Sequence, residues 1–132
     1  MTRPRPQVVP LESVPVIPAA EAPTKVRIAR IITREGNGSN LMLGACWMRP
    51  GEETNTWSFT AEDRTAQGDH WYGERDEVYY VIRGRLELHW DEGVLELVPD
   101  QAVYLAPGWS YRLRNTGEEP AFFVYAMAPA PA

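Results

Sequence analysis

A chain of 132 residues is long enough for one domain with one core and too short for two. Its net charge of −5, with no run of Lys and Arg, excludes the basic patch that a nucleic acid or an anionic membrane surface would need. A single cysteine, Cys46, allows neither an internal disulfide nor a thiolate cluster, and the many prolines and aromatic residues point to strands and turns rather than a helix bundle.

In chain order, the opening Met1-Thr2-Arg3-Pro4-Arg5-Pro6 is followed by no apolar stretch of a secretory signal. The longest apolar run, Val78 to Ile82, is far too short to cross a bilayer. A soluble cytoplasmic protein is the expectation. Residues 1–24 carry Pro4, Pro6, Pro10, Pro15, Pro18 and Pro23, a spacing that forbids helix and interrupts sheet ladders. This segment reads either as a disordered tail or as an arm laid on a neighbouring subunit. The aliphatics Val8, Val9, Leu11, Val14, Val16 and Ile17 favour the arm, and with it a homodimer.

Residues 25–132 read as strands punctuated by turns. Lys25 to Thr33 is a strand, Gly36-Asn37-Gly38-Ser39-Asn40 a hairpin signal, and Leu41 to Met48 a buried strand containing Cys46. Thr54 to Thr60 is a further strand, and Ala61 to Asp76 is a long polar loop of the kind that often carries function. Strands follow at Glu77 to Ile82, Arg85 to Trp90, Val94 to Val98, Ala102 to Leu105, Ser110 to Arg114 and Ala121 to Met127. So many short strands at regular spacing predict a sandwich or barrel.

Two stretches resemble the cupin family. In Asp76-Glu77-Val78-Tyr79-Tyr80-Val81-Ile82-Arg83-Gly84, a glutamate opens a strand closed by a glycine turn, as at the end of the family's first motif. Pro107-Gly108-Trp109-Ser110-Tyr111-Arg112-Leu113-Arg114-Asn115 resembles the second. With the strand spacing between them, the resemblance spans residues 41–127 and implies an all-β, cupin-type jelly-roll barrel. Function stays open, because the family includes dioxygenases, isomerases, lyases, decarboxylases, binding proteins and storage proteins.

Cupins commonly hold a metal ion with two histidines one apart, a glutamate and a later histidine. Carried onto this chain, that set falls on His70, Tyr72, Glu77 and Tyr111, with phenols at two imidazole positions. A second register, counted from Gly51, puts the pair on Trp57 and Phe59 and leaves no metal pair. In the first register the donors are hard and oxygen-rich. They imply iron first, with manganese or zinc behind, and oxygenase, isomerase or lyase chemistry on a small oxygenated compound.

The alternative is a metal-free cupin that binds a small ligand between aromatic walls, drawn from Trp47, Trp57, Tyr79, Tyr104, Phe123, Tyr125 and Met127. Glu77 and Tyr111 would then serve as acid and base. Each residue also has a plainer reading. Tyr111 could fill the barrel, Tyr72 could close its mouth, His70 could be solvated, and Glu77 could pair with Arg75 or Arg83.

Overall fold

The computed structural model describes Arg3 and residues 5–131; Met1, Thr2 and Pro4 of the proline-spaced segment, and Ala132, lie outside it. Ten strands, numbered in chain order, form two five-stranded sheets. The first runs β1 (Arg27–Ile32), β2 (Met42–Met48), β10 (Ala121–Ala128), β5 (Asp76–Arg83), β8 (Ala102–Leu105). The second runs β4 (His70–Trp71), β3 (Trp57–Ser58), β9 (Ser110–Asn115), β6 (Leu86–Trp90), β7 (Gly93–Leu97). All pairings are antiparallel except β3 with β4. The all-β barrel implied by the sequence is what forms.

Strand alternation decides what faces inward. On β5, Glu77, Tyr79 and Val81 are buried while Val78, Tyr80 and Ile82 stand in solvent. On β10, Ala121, Phe123, Tyr125 and Met127 point inward. Residues paired across strands share a face, so these become rows. Glu77, Met127 and Met42 make one row at the barrel mouth, and Tyr79, Tyr125, Gly44 and Arg30 make the next. Beneath them Phe123, Val81, Leu86, Leu88 and Leu113 close the core.

Three local readings change. The hairpin signal does join β1 to β2, but as one helical turn, Arg34–Asn37. Thr33 Oγ1 accepts from the Gly36 N–H at 2.8 Å, and Gly38, at φ +69°, ends the turn. The expected strand over Thr54–Thr60 shortens to Trp57–Ser58. Within the long loop, His70–Trp71 forms β4, too short for any alternation to announce it.

The N-terminal segment folds onto its own chain. Ile17 exchanges two backbone hydrogen bonds with Ile28, at 2.7 and 3.3 Å, and Ala22 lies fully buried in the core. Ile17 thus pairs along the outer edge of β1. From Ile17 onward the segment is part of the barrel.

Candidate functional site

The mouth-side rows enclose a cavity of about 250 Å³. Met42, Ile28, Met127, Tyr79, Tyr125 and Trp57 supply its apolar walls. Pro23 and Thr24 from the N-terminal segment and Pro131 from the other end of the chain complete the rim. Tyr125 can lie along this wall only because position 44 has no side chain. A Cβ there would stand 2.3 Å from Tyr125 Cζ and 2.4 Å from its hydroxyl. The ring thus crosses β2 toward Arg30.

His70, Tyr72 and Glu77 all line this cavity. β4 is held to β3 by His70 N–H donating to Thr56 O and Tyr72 N–H to Ser58 O, each at 2.9 Å. The His70 and Tyr72 rings meet edge-on with centroids 4.3 Å apart. Both sequence registers therefore find a place in the sheet. Trp57 sits opposite Tyr111 on the strand beside β9, and His70 sits beside Trp57 one strand further out.

Glu77 is 3% exposed. Burial pushes its carboxyl up to about 8, opposed by the nearby Tyr79 hydroxyl and Trp57 indole N–H. Neither Glu77 Oε1 nor Trp57 Nε1 completes a hydrogen bond. The salt bridge expected to Arg75 or Arg83 does not form. Arg75 instead donates to the carbonyls of Tyr72, at 2.8 Å, and Pro129, at 2.5 Å, and Arg83 lies over the Phe122 ring. Burial and the Arg30 charge lower the His70 imidazole below its ordinary value, so it is neutral at pH 7. Burial raises the phenols of Tyr72, Tyr79 and Tyr125 and the Cys46 thiol.

Tyr111 departs from the expected set. It points inward, packed against Trp57 and Phe59 with ring centroids 6.0 and 5.9 Å away. Its hydroxyl, however, donates to Ala106 O at 2.7 Å, and the residue does not line the cavity. The turn carrying Ala106 offers a carbonyl within reach and so draws the phenol away. Of the expected donors only one imidazole, one carboxyl and one phenol remain together. The guanidinium of Arg30 lines the same space as these donors. Among the described residues no three His, Cys, Asp or Glu side chains converge. This donor set does not fit a resident iron, manganese or zinc ion.

Of the aromatic walls expected from sequence, Trp57, Tyr79, Tyr125 and Met127 line the cavity. Phe123 lies in the core below it. Trp47 stacks with Phe122 at 5.3 Å, and Tyr104 is 60% exposed, so neither is a wall. Arg30 is the residue that sequence reading missed. Its signal was phase: Arg30 follows the inward-facing Ile28 by two, and so shares its face.

Ten strands closed around a cavity of about 250 Å³ define a β-barrel. The family model for the cupin domain matches residues 58–127, and the chain belongs to the cupin family. It is 33% identical over 106 residues to a glucose-6-phosphate isomerase of Thermococcus onnurineus, covering 76% of this chain and 53% of that protein. It is 30% identical over 87 residues to the polyketide synthase CurC of Streptomyces cyaneus, covering 66% and 48%. The chain thus spans about half the length of these curated relatives. Among solved structures it resembles a predicted oxalate decarboxylase of Thermotoga maritima, with TM-score 0.71 and 14% identity over 93% of this chain and 99% of that one. A cupin 2 conserved barrel protein of Salinispora arenicola gives TM-score 0.64 and 17% identity, covering 94% and 89%. At such identities these two structures establish the fold alone.

Proposed function

We propose that this cupin binds a small oxygenated compound in its mouth cavity and moves a proton on it with Glu77, without a resident metal. One observation carries the reading: a carboxyl 3% exposed that lines a ligand-sized cavity with Oε1 unpartnered. A buried carboxyl with an unpartnered oxygen is unfavourable for stability alone and suits a group that exchanges a proton with a ligand. With its acidity near 8, Glu77 holds its proton at pH 7 while about a tenth is ionised, so it can work in either direction.

As base, the carboxylate takes a proton from the carbon next to a carbonyl. The C–H electron pair becomes the new C=C bond, and the carbonyl electrons move to oxygen. As acid, Glu77 returns that proton to the enolate oxygen and gives the enol, so atoms balance and no oxidant is involved. The neutral His70 supplies a hydrogen-bonding group on the same wall. The name of one relative, a glucose-6-phosphate isomerase, supports this class, since an isomerase rearranges its substrate without a net oxidant.

Deuterium wash-in tests it. In D₂O, ¹H NMR should show faster loss of the protons α to the carbonyl of dihydroxyacetone or acetylacetone with the wild-type protein than with Glu77→Gln. Equal rates for both proteins on both probes would refute the reading.

A further inference from the structure

The charges lining the cavity are out of character with the rest of the molecule. The chain carries −5 overall, yet among the described lining residues the fixed charges are the guanidinium groups of Arg30 and Arg75. Among those residues the one acid, Glu77, is neutral in most molecules at pH 7. A cavity of net positive charge on an acidic protein concentrates anions and repels cations.

The two arginines are not equivalent. Arg75 spends its donors on the Tyr72 and Pro129 carbonyls. Arg30 makes no hydrogen bond or salt bridge among the described residues and stands exposed at the rim. Pairing with Gly44 puts it on the inward face, in one row with Tyr125 and Tyr79. The bare glycine lets the Tyr125 ring fill the space between Arg30 and the cavity interior. A guanidinium beside an aromatic wall is a fork for a planar oxyanion, with an apolar floor for whatever the anion carries.

We propose that the ligand is an organic monocarboxylate, its carboxylate seated on Arg30 at the rim and its apolar body directed inward between Tyr125, Ile28, Met42 and Met127. Arg30 is thus a specificity-determining residue, an assignment that rests on the ligand-binding reading above and names its substrate class. One uncommitted guanidinium matches one negative charge, which favours a carboxylate over a phosphate dianion.

Isothermal titration with benzoate, benzyl alcohol and phenyl phosphate tests this on the whole chain. Benzoate should bind at least tenfold more tightly than its neutral isostere benzyl alcohol. Arg30→Met should weaken benzoate about 10- to 100-fold, the range for a charged hydrogen bond, while leaving benzyl alcohol unchanged. Benzyl alcohol serves as the check that the variant's cavity is intact. No saturable benzoate binding at millimolar concentration, or an equal loss of both ligands in Arg30→Met, overturns the assignment. Phenyl phosphate binding more tightly than benzoate also overturns it, in favour of a phosphate ester. The two proposals fail separately. Benzoate binding indifferent to Arg30, with deuterium wash-in still dependent on Glu77, sinks the carboxylate alone; the reverse pattern sinks the proton transfer alone.

Discussion

Replacing Glu77 by glutamine removes a titration and little else, because the amide matches the carboxyl in shape. The unfolded chain ionises this carboxyl near 4.5, and the barrel holds it near 8. Each pH unit of that separation is worth about 1.4 kcal/mol. Between the two values the folded state binds more protons than the unfolded state, so wild-type stability falls as pH rises. Below about 4.5 both states are protonated and the loss is absent; above about 8 both are ionised and the loss is constant. Glu77→Gln is neutral throughout. Relative to the wild type it should therefore gain about 3 kcal/mol by pH 7 and roughly 4–5 kcal/mol by pH 9, measured from its own value in acid. That is a large share of a small domain's total stability. Urea denaturation followed by tryptophan fluorescence, at a series of pH values for both proteins, reads the difference directly. Because other titrations cancel in the comparison, parallel curves would show that the carboxyl is not held neutral, and the proton-transfer reading would lose its basis.

Further outcomes follow from the same geometry. Gly44→Ala places a Cβ 2.3 Å from Tyr125 Cζ, so thermal melting should show a loss of about 1–3 kcal/mol as the ring is displaced. Tyr111→Phe loses the hydrogen bond to Ala106 O and should cost about 1 kcal/mol, with benzoate affinity unchanged in titration. Prolonged dialysis against a chelator should leave the melting temperature and Glu77-dependent deuterium wash-in as they were; a fall in either would restore a metal to the site.

Much of the barrel was legible because its long strands alternate strictly. On β10, Phe123, Tyr125 and Met127 recur on every second residue, and the same period put Glu77 on the inner face of β5. What escaped lacks such a period. β4 is two residues long and is recruited by its parallel partner β3, a tertiary event with no local signature. Tyr111 was correctly placed indoors, but the direction of its hydroxyl depends on a carbonyl presented by the turn at residues 106–108, which spacing cannot report. Arg30 was hidden by its own charge: on a strand where Ile28 marks the inner face, an arginine at the next inward position reads as surface until the open mouth is seen.

The contribution of Pro23 and Thr24 to the cavity rim joins two parts of the chain that the sequence keeps apart. Any guest resting there touches the docked N-terminal segment as well as the barrel, so each holds the other in place by mass action. Loosening the clasp between Ile17 and Ile28 should therefore be felt as weakened affinity.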